Sequence, residues 1–117
     1  MGTSAMIGIY DQKDGSVTAS YCHYDGYLEG VGDTLATYYN SSYDAEIVAK
    51  GGYISALYDD YLKSRENSVH NDKAVVYSSI EEYLKEEDTD FLYVYDGEGW
   101  LYTETYVAKF EEVQINC

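Results

Sequence analysis

Polar and apolar residues alternate along two stretches near the N-terminus, and the alternation sets the first two elements. Residues 6–10 form a short strand-prone run, and residues 16–24 put Val17, Ala19, Tyr21 and His23 on one face with Thr18, Ser20, Cys22 and Tyr24 on the other. Between them, Asp11-Gln12-Lys13-Asp14-Gly15 is a polar turn whose Asp-Gly pair predicts a hairpin. Gly26, Gly30 and Gly32 then turn the chain ahead of a helix that begins near Val31 and gathers Val31, Leu35, Tyr38 and Tyr39 on one face. Asn40-Ser41-Ser42 ends it. Ser41 or Ser42 caps a second helix with Asp44 and Glu46 near its positive end, and Gly51-Gly52 stops that one.

Apolar spacings of three and four over residues 53–62 predict one or two further helical turns, followed by a polar surface loop over 64–73 and a short β-prone run over 74–77. Ser78 or Ser79 with Glu81 or Glu82 makes a capping box for a helix ending near Glu87, with Ile80, Tyr83 and Leu84 turned inward. Residues 91–95 and 100–105 flank the turn Asp96-Gly97-Glu98-Gly99 as a second hairpin, and residues 106–115 supply a last edge strand. These pieces predict an α+β fold, a mainly antiparallel sheet of four to six strands with two or three short helices packed on one face. Residues 6–117 are expected to form one domain. Residues 1–5, small and polar ahead of Met6, read as a cloning remnant and are left out of the expected fold.

Composition changes this picture in one respect. Hydrophobic residues make up 45% of the 117, enough for a globular core. No apolar run nears the roughly 20 residues of a membrane span, and no secretory pattern opens the chain, so a soluble cytoplasmic protein is expected. Against this ordinary background stand 22 acidic residues to 7 basic ones, and 16 tyrosines with no proline. Such a charge repels nucleic acid and anionic membrane and attracts basic surfaces, while tyrosine supplies broad contact area with a polar tip. Residues 1–58 carry 7 acids to 2 bases and residues 59–117 carry 15 to 5, so the second half has twice the net negative charge. Its densest part is Glu81, Glu82, Glu86, Glu87, Asp88 and Asp90, on and just after one helix. A rigid array of carboxylates can imitate duplex DNA, which carries one charge per about 1.7 Å of axis. The plainer alternative is a solvated acidic face that keeps a tyrosine-rich protein in solution.

Candidate chemistry is sparse. His23 and Asp25, two apart on a strand, could pair and orient an imidazole as a general base requires; the plainer reading ties His23 into the turn. Cys22 cannot join His23 as nucleophile and base, because neighbouring strand residues face opposite ways. Cys22 and Cys117 are expected as free thiols, and with His23 and His70 they lack zinc-ligand spacing. Asp11, Asp14 and Gly15 fail as a calcium loop, since Gly15 as sixth position puts Tyr10 first and Gln12 third. The acidic pairs Asp88 with Asp90 and Asp96 with Glu98 sit in turns, and Gly26, Gly30 and Gly32 lack the Gly-Lys-Ser/Thr of a phosphate loop. No catalytic residue, cofactor or metal is expected.

The segment Tyr21-Cys22-His23-Tyr24-Asp25-Gly26-Tyr27, followed by Gly30, Val31, Gly32 and Leu35, resembles a small family of phage and prophage proteins with a Y-C-H-W-D-G-Y segment and a short helix after it. Gly51-Gly52-Tyr53-Ile54-Ser55-Ala56-Leu57 is similar to that family's glycine-ended helix and its continuation; Tyr24 stands where the family usually has tryptophan. The resemblance covers about the first half of the chain. It implies a context, not a catalytic residue: a small acidic phage protein that acts against a host nucleic-acid enzyme by occupying its DNA site. The expected partner is therefore a basic protein, met through Glu81, Glu82, Glu86, Glu87, Asp88, Asp90 and exposed tyrosines, with no direct binding of nucleic acid. A structural or interaction protein, dimeric through a tyrosine-lined sheet edge, is the second reading. A small enzyme using His23 and Asp25 is the third.

Overall fold

The computed structural model describes residues 3–105 and 110–113. Six strands form one sheet: β1 (Ala5–Tyr10), β2 (Val17–Cys22), β3 (Val75–Tyr77), β4 (Phe91–Tyr95), β5 (Trp100–Glu104) and β6 (Glu111–Glu112), in the order β3-β2-β1-β4-β5-β6. Each half is an antiparallel meander, and the halves join through β1 and β4, which pair in parallel with Ile7 opposite Tyr93. The α+β class and the mostly antiparallel pairing match the pattern of the chain. Of the expected strand over 106–115, β6 is seen beside β5, and residues 106–109 and 114–115 lie outside the described residues.

Both hairpin turns are built by aspartates. Asp11 Oδ1 accepts from the Lys13 amide at 2.8 Å and Asp14 Oδ1 from the Ser16 amide at 2.9 Å, and Gly15 supplies the left-handed residue at φ +78°. The bonds from Ser16 hold the Asp14 carboxyl below the usual carboxylate range. Asp96 Oδ1 accepts from the amides of Glu98 and Gly99 in the second turn. Because β1 and β4 run parallel, the two turns share one end of the sheet, where the Gln12 side-chain amide donates to the Asp96 carbonyl at 3.0 Å.

The alternation along each strand feeds two cores. On one face Ala5, Ile7, Cys22, Tyr93, Tyr95 and Trp100 meet Val31, Leu35 and Tyr39 and, from the helix that follows, Ala45 and Val48. Val31 and Leu35 come from a π-helical turn, Leu28–Gly32, that runs into α1 (Asp33–Tyr38), and Tyr39 is the residue that caps its C-terminus. Helix α2 (Ser42–Lys50) starts where expected: Ser41 Oγ accepts from the Asp44 amide at 3.1 Å, and Glu46 pairs with Lys50 one turn later. On the other face Met6, Val17, Ala19, Leu92 and Val94 are covered by Tyr83 of α4 (Ile80–Tyr83), capped by Ser79. The helices thus lie on both faces, where the sequence pattern placed them on one; a strand buried on both sides has nothing local that tells its faces apart. Helix α4 also ends four residues early. The Lys85 and Glu86 amides reach back only three residues, to Glu82 and Tyr83, so the chain tightens into a turn before Glu87.

Two further expectations are corrected. Residues 53–60 are not helical: the Ile54 amide donates to the Tyr21 carbonyl and the Ile54 carbonyl accepts from the His23 amide, a parallel bridge to Cys22 at the end of β2. The next helix, α3 (Tyr61–Glu66), starts with Asp60 as cap and occupies part of the expected loop over 64–73. Residues 3–5, set aside in the sequence, are structural: Ala5 is fully buried in β1, the Thr3 carbonyl accepts from the Gly26 amide, and the Ser4 amide donates to Asp90 Oδ2 at 3.1 Å.

Candidate functional site

The chain's two histidines converge on one cleft. Its wall is Tyr21, near the end of β2, stacked on Tyr53 with ring centres 5.6 Å apart. Tyr53 is brought there by the end of α2. The buried Ser20 hydroxyl donates to the Ala49 carbonyl at 2.6 Å and accepts from the Gly52 amide at 2.9 Å, and Gly52 turns the chain at φ +94°. A side chain at Gly52 would meet the Asp72 carbonyl 2.5 Å from its Cβ, and that carbonyl also accepts from the Tyr53 amide. The loop over 70–73 is thereby held against the tyrosine wall.

On one side of the wall is an open lobe of about 670 Å³, lined by Tyr21, His23, Tyr24, Tyr53, Tyr58 and His70 among others. His23 Nδ1 lies 3.0 Å from the Tyr21 hydroxyl, Tyr24 meets His23 edge-on at 4.5 Å, and His70 meets Tyr53 edge-on at 5.0 Å. On the other side is a lobe of about 340 Å³ whose lining includes Tyr77 and the charged residues Asp72, Lys73, Glu86 and Asp88. Tyr77 donates to Glu86 Oε2 at 2.7 Å, and Glu86 Oε1 accepts from the Asp88 amide at 3.0 Å, so Glu86 is held in one orientation. Burial, and next the Glu86 carboxylate, push the Tyr77 phenol well up, so it remains a donor at neutral pH.

The motif residues divide between two tasks. Tyr21, His23 and Tyr24 line the cleft. Asp25, Gly26 and Tyr27 build the turn behind it. Asp25 takes φ +59°, its carbonyl accepts from the Val31 amide, and the Tyr27 hydroxyl lies 3.5 Å from its Oδ1. The expected pairing of His23 with Asp25 does not form, because β2 ends at Cys22 and the backbone reverses at Asp25; His23 takes Tyr21 as its partner instead. Gly26 is required by space: a Cβ there would stand 2.7 Å from the Ser4 backbone, and its carbonyl accepts the Tyr93 hydroxyl at 2.7 Å.

The six acidic residues also divide. Glu86 and Asp88 enter the second lobe, Glu82 pairs with Lys85 at 3.0 Å, and Asp90 fastens Ser4. Glu81 and Glu87 face solvent. Sequence reasoning missed Tyr53, Tyr58, His70 and Asp72, which lie on segments read as helix or featureless loop. The usable signal was in the polar loop itself, since side chains on loops fixed by a scaffold are where binding groups concentrate.

Cys22 lies outside the lining of both lobes. It is fully buried, its thiol lies 3.4 Å from the Tyr24 carbonyl, and burial pushes it up to about 12. In a Cys117→Ser background, Cys22 should react with a thiol-exchange reagent about a thousandfold more slowly in native than in unfolded protein, since the thiolate is the nucleophile. Comparable rates in the two states would show that the site opens freely.

Among the described residues, no three or more His, Cys, Asp and Glu side chains are grouped to hold a metal ion, and no helix is long and apolar enough to cross a membrane. Comparison of the chain with protein-family models, curated proteins and solved structures finds no match.

Proposed function

We propose that this protein is a non-catalytic acidic binding protein whose partner is a basic protein surface. The observation that carries the reading is uncompensated charge: 22 acids face 7 bases, and only two ion pairs form among the described residues, Glu46 with Lys50 and Glu82 with Lys85. Both are exposed pairs within a helix or its end, of the kind worth a few tenths of a kcal/mol. The remaining carboxylates keep their field for a partner, and α4 with the turn after it offers Glu81, Glu86, Glu87 and Asp88 beside a tyrosine-walled cleft. In the phage-like context, the partner is the nucleic-acid site of a host enzyme, occupied by an inhibitor that presents carboxylates where DNA presents phosphates.

Immobilised protein should therefore retain nucleic-acid-binding enzymes from a bacterial lysate and release them both to added duplex DNA and to about 0.5 M salt, where screening acts beyond about 4 Å. Retention that ignores both DNA and salt would sink the reading. A second reading rests on the outer strand β3, where Val75 is 48% and Val76 68% exposed: the open edge could pair with a second copy. Sedimentation at low and high protein concentration decides between a monomer and that dimer.

A further inference from the structure

The second lobe of the cleft joins features that a carboxylate cluster alone does not provide. It is a concave space of about 340 Å³, not a convex acidic face, and its lining combines rings, three carboxylates and a single cation. Tyr21 and Tyr53 form the wall and Tyr77 adds a third ring. Asp72, Glu86 and Asp88 set three negative charges against Lys73. Glu86 is oriented by Tyr77 and by the Asp88 amide, while the carboxylates of Asp72 and Asp88 belong to exposed residues and accept no hydrogen bond among the described residues. The neighbouring lobe already shows a cation on one of its rings, since the Lys63 ammonium sits 5.2 Å from the centre of Tyr58. The nearby Arg65 guanidinium is committed elsewhere, to the Tyr53 carbonyl and to Asn71 Oδ1.

We infer that this lobe is a binding pocket for an arginine side chain of a basic polypeptide, with the guanidinium forked onto Asp72, Glu86 and Asp88 and its flat face against the tyrosine wall. The chemistry selects arginine over lysine. A guanidinium offers five donors in a plane and stacks on aromatic rings, whereas an ammonium is a strongly hydrated point charge that cannot serve separated carboxylates at once. Nucleic acid is excluded by the same three carboxylates, and a neutral side chain would leave them unpaired. The inference rests on the reading of the protein as a partner for basic surfaces, and it adds the side chain that is recognised and the place where it enters.

The test uses a fluorescently labelled nonapeptide with three arginines spaced by glycine and serine, and two versions of it carrying lysine or the neutral isostere citrulline. Anisotropy at low salt should show binding of the arginine peptide, several-fold weaker binding of the lysine peptide and none of the citrulline peptide. The double substitution Asp72→Asn with Asp88→Asn should weaken the arginine peptide about tenfold or more, because charge-assisted hydrogen bonds are lost. Glu29→Gln with Glu98→Gln removes the same charge from exposed positions away from the cleft and should change affinity less than twofold; thermal melts confirm that both double variants fold. Equal weakening by the two pairs would overturn the pocket and leave the general reading standing, since attraction would then be diffuse. Failure of the wild-type protein to bind the arginine peptide at all would overturn the pocket, and the general reading then stands or falls on whether lysate enzymes are retained and released by DNA and salt.

Discussion

Raising the pH from about 10 to about 12 should unfold this protein in one cooperative step, because its core is built on phenols that cannot ionise in place. Tyr83 and Tyr93 are both fully buried, and burial is the leading cause that holds each phenol far above the ordinary tyrosine value. The sign follows from the proton count. Above the ordinary value the unfolded chain releases these protons while the folded chain keeps them, so the unfolded state binds fewer and stability falls as pH rises. Below about pH 10 both states are protonated and the contribution is intact. Each such phenol removes about 1.4 kcal/mol per pH unit, so the two remove about 5 kcal/mol over two units, comparable with the whole stability of a small domain. Circular dichroism and tyrosinate absorbance should change together. A fold that persists at pH 12 with a gradual rise in absorbance would refute the expectation, and Tyr83→Phe with Tyr93→Phe should flatten the dependence on pH.

The residues that make the hairpins were readable because their signals are local. Alternation over β1, β2, β4 and β5 and the Asp-Gly turns between them need no distant partner, and neither does the Ser41 cap of α2. The parallel pairing of β1 with β4 was not readable, since it depends on which edges meet after the helices are placed. Tyr53, Ile54, Leu57 and Tyr58 have helical spacing, yet Ile54 belongs to the core and Tyr53 to the cleft wall, and the backbone bonds to residues 21–24 and 72 outweigh the periodicity. The cleft was invisible for the same reason. Tyr21, Tyr53, His70 and Glu86 come from four separate segments, and although Tyr21, Tyr53 and Glu86 each lie in a stretch that stands out in the sequence, nothing local joins them into one cleft. The His23–Asp25 pairing failed on one backbone angle, the positive φ of Asp25, which strand periodicity cannot foresee.

Tyr83→Ala should lower stability by about 3–5 kcal/mol, the range for removing a fully buried large aromatic side chain. Tyr83 is the one buried residue of α4, and it fills the space that Gly8 leaves open: a Cβ at Gly8 would already stand 2.8 Å from Val17 and 3.2 Å from the Tyr83 hydroxyl. Its ring lies 5.0 Å from Tyr77, and its hydroxyl donates to the Tyr93 carbonyl at 2.7 Å. Replacement by phenylalanine keeps the ring and loses only that bond, so Tyr83→Phe should lose about 1 kcal/mol. The difference between the two variants in urea unfolding isolates packing from hydrogen bonding. A helix of four residues has no stability of its own, so without this anchor α4 and its carboxylates lose their fixed spacing. Affinity for a basic partner should then fall together with stability in Tyr83→Ala and hold in Tyr83→Phe. A loss below about 1 kcal/mol in the alanine variant would mean that α4 is held by contacts other than this ring, and the fixed carboxylate geometry would no longer depend on the second core.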